Sequence, residues 1–177
     1  TDSGFRENWI RTDGKADLPL PPDVRRYYVP GTTHGGDDGG GFSPSPVAIS
    51  SCLLAKNPNP EKETMAALQQ ALLQWVIQGT EPPPSSYPRL AAGDLAPNNA
   101  AAMGWPAIPK APPPDGMAVG LMDYDYGSTL NANDFTGVLS QWPPAIRQTL
   151  PALMPKLNAD GNETAGIASV LHQAPLG

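Results

Sequence analysis

Proline governs what this chain can fold into. Clusters at Leu18-Pro19-Leu20-Pro21-Pro22, Pro82-Pro83-Pro84, Trp105-Pro106-Ala107-Ile108-Pro109, Pro112-Pro113-Pro114 and Trp142-Pro143-Pro144 must be extended or turning. Proline lacks an amide donor and pushes the residue before it out of the helical region. The 23 Pro and 18 Gly approach a quarter of the 177 residues, close to the level at which chains stay disordered. Four Trp, five Tyr and a hydrophobic content of 40% pull the other way. The expected shape is therefore a long irregular chain lying over a compact body. Aromatic and apolar residues interleave with the prolines, so the tail is expected to pack on its own protein. It is not read as a ligand for polyproline-binding domains.

Charge narrows the partners. A net charge of −6 with 11 basic residues, Arg25-Arg26 the one adjacent pair, argues against nucleic acid, whose phosphates need clustered Lys and Arg. No apolar stretch reaches the roughly 18 residues of a membrane span. The opening Thr1-Asp2-Ser3-Gly4 is unlike a signal peptide. The single Cys52 excludes an internal disulfide and reads as a small buried hydrophobe.

Two segments read as regular structure. In Val24-Arg25-Arg26-Tyr27-Tyr28-Val29 the β-branched and aromatic residues predict a strand over 24–29. It breaks at Pro30-Gly31 and leaves His34 among small residues. That is where α/β sheets place their chemistry, and imidazole suits proton transfer near neutral pH. The same placement suits a loop histidine filling a polar gap, and local sequence leaves both readings open. The second segment is a helix from Pro60 to Gln78. Asn59 is its expected cap, Pro60 its first residue, and Gly79 its left-handed stop. Met65, Leu68, Leu72, Trp75 and Val76 recur at helical spacing and are expected to pack on a core.

Other motifs carry less chemistry. The glycine-rich stretch 35–46 lacks the Gly-Lys-Ser/Thr ending of a phosphate cradle and holds Asp37 and Asp38, which repel phosphate. Asp123 and Asp125 are expected on one face of a strand, with no partner evident and a solvated edge as the reading. Asn158-Ala159-Asp160-Gly161-Asn162-Glu163 misplaces the glycine of a calcium loop and reads as a tight turn. No cofactor or metal is expected. A hydrolase built on His34 needs a nucleophile and an orienting carboxylate, yet Gly-x-Ser-x-Gly does not occur. Thr1 is set aside as a nucleophile because the residues after it are polar and turn-like.

The order of strand, loop histidine and amphipathic helix is also how an α/β-hydrolase ends. More closely, the chain resembles large bacterial alpha/beta hydrolase domain-containing proteins. The resemblance lies in residues 20–36, Asn57-Pro58-Asn59-Pro60, residues 75–88, Pro106-Ala107-Ile108-Pro109, Asp160-Gly161-Asn162-Glu163-Thr164-Ala165-Gly166 and Ala174-Pro175-Leu176-Gly177. It implies serine-hydrolase chemistry on a small ester-like substrate, with His34 as general base. It also implies a serine nucleophile outside this chain, in the rest of the same protein or a companion chain. The acid is then upstream or among Asp2, Glu7 and Asp13. A secreted or periplasmic setting is implied too, though these residues carry no signal for it.

The expected fold class is α/β: the C-terminal part of an α/β-hydrolase-type sheet over residues 1–79, then a proline-rich, largely irregular extension over 80–177. Lacking an initiator Met, and ending where similar proteins run on, the chain is expected to be a piece of something longer. The competing expectation is a non-catalytic structural or interaction protein that keeps the fold and uses its Pro/aromatic tail for assembly.

Overall fold

The computed structural model describes residues 10–32, 57–109, 113, 120–131, 133–134 and 139–174. Its regular elements are α1 (Lys62–Gln78), β1 (Leu95–Pro97), α2 (Ala100–Met103), β2 (Leu121–Asp125), β3 (Ala145–Leu150), β4 (Leu153–Pro155) and α3 (Val170–Gln173). The strands form two antiparallel pairs, β1 with β4 and β2 with β3. Proline sets their lengths. Pro97 and Pro155 end the first pair, and β3 runs only from behind Pro143-Pro144 to just before Pro151.

Ile10, Leu95 and Leu153 form the buried core cluster, with Tyr28 and Leu90 packed against it. Several long-range polar ties hold these segments together. The Asp17 carboxylate accepts from the amides of Leu90 at 2.7 Å and Ala91 at 2.8 Å. The Lys156 amide donates to the Asp94 carbonyl at 2.8 Å. Asn99 caps α2 by accepting from the Ala102 amide, and Met103 is buried behind it.

The strand expected over 24–29 is not formed. Among the described residues one parallel bridge is made there, between Tyr27 and Ser86. Tyr28 donates to the Ser86 carbonyl and Ser86 to that of Arg26, each at 2.9 Å. The neighbouring segment supplies Pro82-Pro83-Pro84, which has no amides to extend a ladder. Tyr27 instead donates its hydroxyl to the Pro83 carbonyl.

α1 forms within its expected span and stops as expected. Gly79 has φ of 69°, and its amide donates to the Trp75 carbonyl. Its start and its apolar stripe differ from expectation. Glu61 occupies the cap position, and Asn59 is buried and engaged elsewhere. Leu72 and Val76 stay 52% and 75% exposed, while Thr64, Leu68, Ala71 and Trp75 are half-buried. The chain that meets this helix brings a cation: the Arg25 guanidinium lies 4.7 Å from the Trp75 ring and pairs with Glu81 at 2.9 Å. The contact is therefore a cation–π face where a continuous apolar one was expected.

Candidate functional site

The most elaborate polar arrangement of the described residues surrounds Pro30 and Gly31. It begins with a turn. Asn158 Oδ1 accepts from the amides of Asp160 at 3.0 Å and Asn162 at 2.9 Å, an Asx-type closure. Gly161, with φ of 81°, supplies the left-handed residue. A bridge between Leu157 and Glu163 follows, so the expected tight turn forms and delivers Glu163 to Tyr28.

Glu163 then joins three groups. Its Oε1 and Oε2 lie 2.8 and 2.9 Å from the Tyr28 hydroxyl, which donates. Oε2 also accepts from the Gly31 amide at 2.9 Å. The Glu163 carbonyl faces His172 Nε2 at 3.1 Å, which places the proton of neutral His172 on that nitrogen. Gly31 has φ of 67°, and a Cβ there would come within 2.8 Å of His172 Nδ1. The next strand-like contact is as close. The Ile167 amide donates to the Tyr28 carbonyl at 2.7 Å, and a Cβ on Gly166 would meet that carbonyl oxygen at 2.5 Å.

A second set of bonds ties Pro30 and Gly31 to residues 57–59. Asn57 Nδ2 donates to the Gly31 carbonyl at 2.7 Å, and Asn59 Nδ2 to that of Pro30 at 2.9 Å. Asn59 is 4% exposed, and its Oδ1 accepts from the Ser169 hydroxyl. Ser169 Oγ in turn caps α3 by accepting from the His172 amide at 3.1 Å. Both flanks of residues 33–56 are thus joined to each other and to residues 163–172.

Glu163, Ser169 and His172 are neighbours but not a proton relay. The hydroxyl proton of Ser169 goes to Asn59, and the imidazole of His172 faces Glu163's carbonyl and Gly31. A hydrolytic triad needs that hydroxyl on the ring nitrogen. These groups hold backbone in place.

His34, Asp2 and Glu7 lie outside the described residues, as do Thr1, Cys52 and the glycine-rich stretch 35–46. Asp13 stands in an exposed turn, where Oδ2 pairs with Arg11 at 3.1 Å and Oδ1 accepts from the Lys15 amide at 3.0 Å. Asp123 and Asp125 do share one strand face, and β3 supplies the partner that local sequence hid. Arg147 lies 3.5 Å from Asp123 and 3.4 Å from Asp125. It sits at the register shift where Asp123 pairs with Gln148 and Tyr124 with Ile146. The Gly127 amide, and then Arg147, hold the Asp125 carboxyl below its ordinary range. A cleft of about 350 Å³ opens between residues 20–25 and 81–85, but its Arg25 and Glu81 are engaged with each other. Among the described residues no group of three His, Cys, Asp or Glu side chains could hold a metal ion.

Sequence reading missed the joint roles of Tyr28, Asn59, Glu163 and Ser169. Asn59 looked like a cap and Glu163 like a turn residue. The available signal was that both fall within motifs that carry the family resemblance.

Glu163, Asn57 and Asn59 thus tie Pro30 and Gly31 to residues 57–59 and 163–172. The chain belongs to the alpha/beta hydrolase domain family, whose match covers residues 5–177. No curated protein and no solved structure matches it.

Proposed function

We propose that this protein is a serine-dependent ester hydrolase in which His34 is the general base. The observation that carries this reading is the family match, whose span of residues 5–177 includes the Pro30-Gly31-Thr32-Thr33-His34 motif. In the proposed reaction a serine hydroxyl attacks the ester carbonyl while His34 takes its proton. The C–O bond then breaks, and His34 returns that proton to the departing alcohol. Water, activated by the same imidazole, hydrolyses the acyl-enzyme.

The chain's own residues limit who else takes part. With no Gly-x-Ser-x-Gly among the 177 residues, the nucleophile is assigned to sequence beyond them, in the same protein or a companion chain. Of the in-chain acids, Asp13 already serves Arg11 and the Lys15 amide. Asp2 and Glu7 are the better candidates to fix the His34 tautomer. The reading places this chain at the C-terminal end of the hydrolase sheet, with a small ester-like substrate bound by other segments.

One observation favours a non-catalytic scaffold. Trp142, in the proline-rich tail, is 78% exposed, and an exposed aromatic suits assembly. His34→Ala in the full-length protein separates the two. The hydrolase reading predicts a fall in ester turnover of at least about 10²-fold with an unchanged melting temperature. Unchanged turnover overturns it.

A further inference from the structure

The cleft between residues 20–25 and 81–85 has aliphatic walls and one cation. Leu20, Pro21, Pro22, Val24, Pro82 and Pro84 line it beside Arg25. Its volume of about 350 Å³ falls within the ~300–1,000 Å³ of small-molecule sites. Arg25 is fixed in place. Its side chain is 18% exposed, and its guanidinium lies on the Trp75 ring. From behind, Nη1 donates to the carbonyls of Pro22 at 2.9 Å and Val24 at 3.1 Å. Its counter-ion is not fixed. The Glu81 side chain is 74% exposed and takes one bond, from Nη2 at 2.9 Å. An ion pair with one partner so open to water adds little stability. Among the described residues the Arg25 Nε–H has no acceptor.

We propose that this cleft is a binding site for an aliphatic carboxylic acid, with Arg25 as its anchor and Glu81 as a displaceable stand-in for the ligand's carboxylate. The incoming carboxylate takes Nη2 and Nε together, the two-bond fork that Glu81 leaves unmade. Glu81 turns out into water, and the hydrocarbon body covers the proline and leucine walls, a gain that Glu81 itself cannot supply. Four of the nine lining residues are proline, so the walls lack the amides by which a peptide main chain is held. An aliphatic tail needs none. Arg25 is also the one cation among the lining residues, which suits a single negative charge. The site is separate from the hydrolytic chemistry proposed above and does not rest on it.

The test uses full-length protein treated first with a fluorophosphonate, so that octanoate held at a hydrolytic site is not counted. Octanoate, octanol and acetate are each titrated in by calorimetry at neutral pH. The expected result is saturable binding of octanoate, with octanol (tail without charge) and acetate (charge without tail) each weaker by about tenfold or more. Arg25→Met removes the anchor and should weaken octanoate by at least about tenfold. Glu81→Gln removes the competing carboxylate and should tighten octanoate about threefold.

A merely structural ion pair gives no such tightening, so unchanged or weaker binding by Glu81→Gln overturns the inference. Wild-type protein that takes up no octanoate overturns it too, as does octanol bound as tightly as octanoate. Octanoate affinity that survives Arg25→Met intact places the binding elsewhere and has the same consequence. If Arg25→Met fails to fold, Glu81→Gln decides alone, because its side chain faces water. Protein that neither takes the label nor hydrolyses esters is titrated in the same way and judged by the same results.

Discussion

At Asn59 one side chain does what no local signal in its neighbourhood suggests. An Asn two residues before an acidic helix start reads as a cap, because short-range partners are all that a sequence window contains. Its actual partners, Pro30 and Ser169, are 29 and 110 residues away. Those bonds exist only after the flanks have met. The energetic consequence is checkable. Asn59→Ala leaves the Pro30 carbonyl and the Ser169 hydroxyl without their buried partner, at an expected loss of about 1–3 kcal/mol. Asn57→Ala removes an exposed bond to Gly31 and a half-buried one from the Asn59 amide, strands no buried side chain, and should lose about 1 kcal/mol, less than Asn59→Ala. Urea midpoints at constant m would show the order, and equal losses would contradict the central place given to Asn59. Glu163 escaped sequence reading for the same reason: a turn residue's carboxylate can be assigned only once Tyr28 and Gly31 stand beside it.

Elements were legible in proportion to how local they are. α1 and its stop at Gly79 follow from consecutive residues: the expected end fits, while the helix starts at Lys62, two residues after the expected Pro60. The 24–29 segment has strand composition, but a strand also needs a partner with amides, and the neighbour offers Pro82-Pro83-Pro84. The β2–β3 pair shows the reverse case, where the facing of Asp123 and Asp125 was readable and Arg147 was not. Here pH offers a test. The folded Asp125 carboxyl titrates below its ordinary value of 3.8, first because of the Gly127 amide and then because of Arg147. A depressed folded value means that the contribution to folding is complete above the unfolded value and fades as pH falls through the folded one. Carboxyl-carbon NMR titration should therefore give a midpoint below 3.8 for Asp125. Arg147→Met should move it up part of the way, leaving the Gly127 effect. An ordinary midpoint in the wild type would contradict the pairing across the strands.

At the scale of the whole molecule, family membership was readable because proline–glycine signatures in a fixed order are hard to produce by chance. The architecture was less so. Among the described residues the strands form two-stranded antiparallel pairs, and a buried cluster of Ile10, Leu95 and Leu153 draws on segments far apart in sequence. Such contacts arise from docking and leave no periodicity to read. What the described residues contribute to the proposed enzyme is a frame: Tyr28, Asn59, Glu163 and Ser169 close the flanks of residues 33–56. The nucleophile is assigned elsewhere. The most direct measurement is to react active full-length protein with a fluorophosphonate, weigh the intact adduct, and map the modified residue by peptide mass. The account predicts one adduct per active site, on a serine outside these 177 residues, formed at a much lower rate in His34→Ala. A label on a residue within the 177, or full ester turnover by protein that takes up no label, would contradict it.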